Sequence, residues 1–271
     1  MNGSVALLFL SREWADTRRN SRVLPPFLIM PLIAVALPVI IALITPAMAR
    51  QAQVRQDPST LALLHLLSRL PEFAGLPPVD GLARYLLRAT IGIFLLMPIA
   101  ITSTAAAFSI VGEKQQRTLE PILATPITDR QLLVGKLLAS IVPTTVTTWI
   151  AGLAAVLIVD LVFATRGLAP PLPDRFWVLG LLVAAPALAA AVALVTMRLS
   201  ARSSDPQATV QTAALAILPA FLLAVAVFGK VLTFYFPALV AACVLLLLLD
   251  AALFRMNVTR FRREEILTTW K

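Results

Sequence analysis

The chain has 271 residues, of which 59% are hydrophobic and 14% charged; soluble domains carry about 25% charged residues, so a water-soluble fold would lack polar surface. The net charge of +9 does not point to nucleic acid, because the basic residues flank apolar runs, where they orient helices and meet anionic lipid. The single cysteine, Cys243, excludes an intrachain disulfide and a multi-cysteine metal site.

Only six runs of about 18 or more residues lack Asp, Glu, Lys, Arg and His: Val23–Ala49, Ala89–Gly112, Leu137–Val159, Phe176–Met197, Pro206–Gly229 and Val231–Leu249. The expected fold is an all-α integral membrane protein with six transmembrane helices. An N-terminal interfacial amphipathic helix precedes them, and a short cytoplasmic coupling helix lies between spans two and three.

In chain order, residues 1–22 come first, as a cytoplasmic segment. Leu7, Leu10 and Trp14 recur there at helical spacing opposite Arg12, Glu13, Asp16, Arg18 and Arg19, which suits a helix lying in the membrane interface. The six-span domain is expected over 23–254, with span one over 23–49. Ala47-Met48-Ala49 resembles a signal cleavage site, yet the preceding apolar run is longer than the usual core of about 7–15 residues. It also contains Pro25, Pro26, Pro31 and Pro38, and is read as a retained span. Ser59–Leu70 places Leu61, Leu64 and Leu67 on one face and is too short to cross, so a surface or re-entrant helix is expected before Pro71, Pro77 and Pro78. The lone His65 there is read as a surface residue.

Span two follows over 86–112, the coupling helix over 113–124 and span three over 131–160. A Pro-rich loop, Ala164–Arg175, leads to span four over 175–198. Ser204-Asp205-Pro206-Gln207 reads as a capping box with Ser204 as N-cap. It opens span five over 206–229, which a tight link at Gly229-Lys230 joins to span six over 231–254. A basic cytoplasmic tail, 255–271, ends the chain. Counting Lys and Arg in alternate connections gives 15 on the side of the N-terminus and seven on the other, with Arg88 at the mouth of span two. That bias places both termini in the cytoplasm, and the cell inner or plasma membrane is the expected location.

The connection between spans two and three carries the functional signal. Thr118 can cap a short helix with Glu120 and Pro121 in its first turn, where a carboxylate and a proline are favoured. Thr125-Pro126 stops it, and Thr128 through Gln131 forms a second capping box that starts span three. A short helix held between two membrane helices can transmit force from a docked cytoplasmic partner.

Val111–Ile127, followed by Leu132-Leu133-Val134-Gly135-Lys136-Leu137-Leu138, closely resembles membrane subunits of ABC transporters of the type-2 permease class, especially the branch of sodium and drug exporters. The basic Arg18-Arg19 leading to Phe27–Pro31 and the tail Phe261-Arg262-Arg263-Glu264 extend the similarity. The family commonly has glycine where this chain has Arg117; arginine favours continuous helix and adds a donor.

The resemblance implies a half-transporter. Two permeases, identical or similar, pair in the lipid, and each receives one of two ABC ATPase subunits. Docking falls to Glu113, Lys114, Arg117 and Glu120 as polar contacts and to Leu119, Ile122 and Leu123 as hydrophobic ones, with Thr118 and Pro121 shaping the helix. No cofactor or metal is expected on this chain. It has no Gly-x-x-x-x-Gly-Lys-Ser/Thr loop, since Gly135-Lys136 is followed by leucine; ATP and Mg are expected on the partner ATPase, and the chain is not an enzyme by itself.

Inside the spans, Asp160 and Asp250 fall near helix ends and are read as hydrated carboxylates at the interfaces, on opposite sides. Thr102, Ser103 and Thr104 in span two, Thr144, Thr145 and Thr148 in span three, and Thr209, Gln211 and Thr212 in span five are open to two readings: a substrate path, or hydrogen bonds between helices. An autonomous channel or secondary transporter, or a membrane scaffold, are the alternatives to a permease subunit.

Overall fold

Prolines inside apolar helices set the terms of this fold. Each lacks the N–H that would pair with the carbonyl four residues earlier, and in hydrocarbon an unpaired carbonyl is costly. The computed structural model describes residues 21–55, 58, 62, 65, 67, 73, 75–112, 128–200, 205–215 and 236–260. Among them every regular element is a helix.

Helix α1 covers Leu24–Arg55 with Pro31, Pro38 and Pro46 inside it. Helices α2 (Pro78–Ala89) and α3 (Ile91–Ala107) are separated by Thr90 alone, and a π turn, Phe108–Gly112, ends α3. Helix α4 covers Asp129–Ala164. Helix α5 (Arg175–Leu179) passes through a second π turn, Gly180–Ala184, into α6 (Ala185–Ser200). Residues 206–215 form α7, and α8 covers Phe236–Arg260. Five stretches among the described residues are long and apolar enough to cross a membrane: Leu24–Ala47, Val79–Ala107, Arg130–Ala164, Arg175–Ser200 and Phe236–Thr259. Helix α7 opens the expected fifth span, whose remainder lies outside the described residues. The expected interfacial helix at Leu7, Leu10 and Trp14 and the end of the tail also lie outside them.

The caps follow from the sequence. Thr128 and Gln131 form the expected capping box at the start of α4. Asp174 caps α5 by accepting from Trp177 N at 2.9 Å. At α7 the Asp205 carboxylate accepts from Gln207 N at 3.0 Å and Ala208 N at 3.4 Å; Ser204, the expected N-cap, lies outside the described residues. A carboxylate directly before Pro206 reaches these first free amides and complements the positive helix end.

Several carbonyls that prolines or π turns release are taken by donors from neighbouring elements. Pro46 cannot pair with Ala42 O, and Arg166 donates to it at 2.8 Å. In the second π turn Ala185 N pairs with Gly180 O. The next bond of that shifted register would need an N–H on Pro186. Leu181 O instead accepts from the indole of Trp149 at 2.7 Å. Trp149→Phe keeps the ring but removes the donor, and is expected to cost about 1 kcal/mol, read as a lower Tm in a thermal unfolding scan. Pro186→Ala, which restores a backbone donor, should recover most of that loss. An unchanged Tm for Trp149→Phe would show that the carbonyl is satisfied by other means.

Helix α1 lies along α4, and α6 lies along α3, α4 and α8. One core joins α1, the α2–α3 pair and α4 through Ala34, Ala42, Leu87, Phe94, Met97, Ala155 and Val159. The outward faces of α1, α4 and α8 expose Leu32, Ile150, Leu153, Leu245 and Leu248, as lipid contact requires. Pro58, Ala62, His65 and Leu67 have helical backbone, and Leu67 packs against Phe73 and Leu82. The rest of the expected short helix over 59–70 lies outside the described residues.

Candidate functional site at the stems of the 113–127 connection

The residues expected to dock a partner, Glu113, Lys114, Arg117, Thr118, Leu119, Glu120, Pro121, Ile122 and Leu123, lie outside the described residues. The two stems that carry them are described. The π turn Phe108–Gly112 forms the first, with Ser109 and Val111 buried. The second is the N-terminus of α4. Thr128 has extended backbone (φ −73°, ψ 153°), its hydroxyl accepts from Gln131 N at 3.3 Å, and its N–H donates to Gln131 Oε1 at 3.0 Å. The chain is thereby given a fixed angle as it joins span three.

Lys136 links the stems. Its Nζ donates to Ser109 O at 2.6 Å and lies 3.4 Å from Ser109 Oγ, in a side chain only 2% exposed. An ammonium donating to a backbone carbonyl makes a charge-assisted hydrogen bond, stronger than one between neutral groups. Around this pair Ala106, Leu133, Leu137, Ala193, Leu194 and Met197 form a compact core, joined by Ile141, Leu253, Phe254 and Val258. Asn257 on α8 donates to Leu194 O at 3.4 Å and Leu253 O at 2.9 Å. Helices α3, α4, α6 and α8 therefore meet at the end from which the connection leaves.

From Lys136 a buried polar face continues along α4 through Ser140, Thr144 and Thr148 at helical spacing. Each hydroxyl donates to the carbonyl one turn back: Ser140 to Lys136 O at 3.2 Å, Thr144 to Ser140 O at 2.9 Å and Thr148 to Thr144 O at 2.9 Å. Thr102 on α3 donates to Thr144 Oγ1 at 3.1 Å. Ser103 and Thr104 both donate to Ala100 O. Thr102, Ser103, Thr104, Thr144, Thr145 and Thr148 are all buried, and the Thr145 hydroxyl has no hydrogen-bond partner among the described residues. Thr209 is buried on α7, where Gln211 and Thr212 are exposed. The structure thus unites the span-two and span-three sets in one helix-packing seam; the span-five set stands on α7, and the rest of that span lies outside the described residues. Lys136, Ser140 and Ser109 are further members of this seam; the four-residue repeat Lys136, Ser140, Thr144, Thr148 was the signal for the first two.

The comparison with protein families decides what kind of machine this is: the model for ABC-2 family transporter protein matches residues 8–250. The chain belongs to the ABC-2 transporter family. No curated protein and no solved structure gives a match. An ABC-2 transporter of this kind is a membrane transport subunit that works with an ABC ATPase, and such subunits are typically not catalytic themselves.

At its opposite end the ABC-2 chain closes with a second buried charge. Arg88 Nε pairs with Asp174 Oδ2 at 2.6 Å, and its guanidinium lies 4.3 Å from the Phe176 ring centre and 5.0 Å from that of Phe73. The Trp177 indole donates to Leu87 O at 3.2 Å. Asp160 Oδ1 accepts from Leu172 N at 3.3 Å, so the carboxylate expected to be simply hydrated ties down the loop after α4. Asp250 is partly buried on α8, and its Oδ1 has no hydrogen-bond partner among the described residues.

Proposed function

We propose that the chain is the permease subunit of an ATP-driven exporter, with the 113–124 segment as its coupling helix. The family match across 8–250 carries this reading. The stems support it, because a connection that must deliver force needs ends that do not yield. Two such subunits pair in a cell inner or plasma membrane with both termini cytoplasmic, six spans each, and two ATPases act on them from the cytoplasm. Closure of the ATPases on ATP and Mg pushes the coupling helices and shifts the pair between inward- and outward-open states. The similarity of Val111–Ile127 to the sodium and drug exporter branch suggests that the cargo belongs to that range. The exposed Gln211 and Thr212 on α7 offer polar groups to a substrate path or to the second subunit.

The test is co-expression with an ABC ATPase encoded beside this gene, followed by co-purification and ATP hydrolysis assays. Leu123→Asp sets a charge into the hydrophobic side of the docking helix and is expected to weaken the complex at least about tenfold, as loss of a central hydrophobic contact does. Glu120→Ala should have a smaller effect in the same direction. A complex indifferent to both variants would remove docking from 113–124. Transport by the permease alone would favour the autonomous carrier, and a stable complex without turnover a scaffold.

A further inference from the structure

We propose that Lys136 is a positioning residue for coupling: it joins the inner end of span two to the start of span three, so that displacement of the 113–127 connection reaches both as one body. This rests on the reading of that connection as the ATPase docking segment. Three observations carry it. A π turn is a local register slip that leaves backbone groups to be satisfied elsewhere, and such a turn immediately before a force-receiving segment would give way. Lys136 Nζ, at 2.6 Å from Ser109 O, places a cation on a carbonyl of that turn, a charge-assisted hydrogen bond stronger than a neutral one. The buried face Lys136, Ser140, Thr144 and Thr148, with Thr102 donating to Thr144, then holds α4 against span two well into the membrane.

The second π turn shows the same construction from the same helix. Trp149 of α4 donates to Leu181 O at 2.7 Å, and Trp149 lies about 20 Å along α4 from Lys136 at 1.5 Å per residue. Helix α4 thus supplies a donor to a carbonyl of each π turn, one on span two and one on span four. Motion delivered to its inner end has a fixed attachment to each neighbour, and Lys136 is the one next to the connection.

The experiment uses the full chain in lipid nanodiscs, alone and with the ATPase, followed by amide hydrogen exchange. In the permease alone, Lys136→Met is expected to raise exchange at 108–112 by about tenfold, as for a local opening no longer held closed, while 91–105 stays as in wild type. In the complex, ATP bound to a hydrolysis-deficient ATPase should change exchange in the outer loop 165–174, where Leu172 N–H is held by Asp160. Lys136→Met should assemble and hydrolyse ATP within about twofold of wild type with the active ATPase, yet lose at least about fivefold of the change at 165–174, the low end of ordinary coupling. Lys136→Arg, which keeps a cation and donors, should restore it. A purely structural role would lower assembly and hydrolysis together and would not separate them from the outer-loop change. Should Lys136→Met fail to fold, Lys136→Gln keeps a neutral donor and should transmit roughly half of the change. Full transmission by either neutral variant overturns the proposal. Failure of the wild-type chain to bind the ATPase overturns the docking reading and the coupling role with it, while exchange at 108–112 in the permease alone still decides whether Lys136 holds the turn.

Discussion

Asp174→Ala is expected to destabilise the membrane domain by about 3 kcal/mol, because it takes the carboxylate away from a buried guanidinium. Arg88 and Asp174 meet at 2.6 Å with side chains 10% and 21% exposed, so solvent can compensate little of the loss. Two further losses come with it. Asp174 Oδ1 accepts from Trp177 N at 2.9 Å, which fixes the start of α5 and with it a ring that packs 4.9 Å from Phe94. Arg88 also lies against Phe73 and Phe176, and without the carboxylate it has reason to leave that place for water. Asp174→Asn keeps an N-cap oxygen and should cost less. The double variant Arg88→Met/Asp174→Asn should be more stable than Asp174→Ala, since removing both charges removes the burial penalty of each. Thermal unfolding in detergent or nanodiscs gives the order. An Asp174→Ala chain within about 0.5 kcal/mol of wild type, the usual range for a surface change, would show that Arg88 is adequately solvated there.

The sequence revealed the spans through their lack of charge, and the same criterion hid the residues that hold them together. A window search stops at Arg88 and at Asp160, but the helices do not: span two starts with α2 at Pro78 and span three continues to Ala164. Both charges are accommodated by partners on the 165–174 loop, Asp174 for Arg88 and Leu172 N–H for Asp160. Such partners are remote in sequence, and no local pattern announces them. The Thr128 capping box was legible because its donors and acceptors lie within one turn. At α7 the pattern points to Ser204, with glutamine three positions on; that residue lies outside the described residues, while the Asp205 carboxylate reaches the first free amides. The coupling segment lies outside the described residues; it was expected from its motif and from its proline and threonine punctuation. The π turns at 108–112 and 180–184 were not, since they answer to packing between helices; only Pro186 hinted at the second. In the sequence Lys136 belongs to a Gly-Lys pair that lacks the rest of a phosphate loop, and its place against Ser109 depends on the first π turn.

Gly180→Ala is expected to destabilise the chain by about 2 kcal/mol, the ordinary cost of inserting one methyl into a filled contact. A Cβ at Gly180 would stand 2.7 Å from Ile91 Cγ1 and 3.0 Å from its Cδ1. Ile91 begins α3, and a β-branched side chain on a helix has one strongly preferred rotamer, so relief requires the backbones of spans two and four to part. Gly152 provides the contrast. Its added Cβ would meet Leu181 Cδ1 at 2.6 Å, but that is the end of a flexible side chain, and Gly152→Ala should cost less than about 1 kcal/mol once Leu181 turns aside. Small residues at helix crossings let backbones approach closely where no hydrophobic force between helices exists in lipid. The origin of the Gly180 penalty can be isolated with Ile91→Ala, which removes both contacting atoms. The double variant Gly180→Ala/Ile91→Ala should exceed the sum of the single effects in stability by about 1–2 kcal/mol, a coupling typical of residues in contact. Additive effects would mean that Gly180 is required by the π turn it opens and not by the approach of Ile91, and close packing of spans two and four would then have to be sought at the alanines of α6.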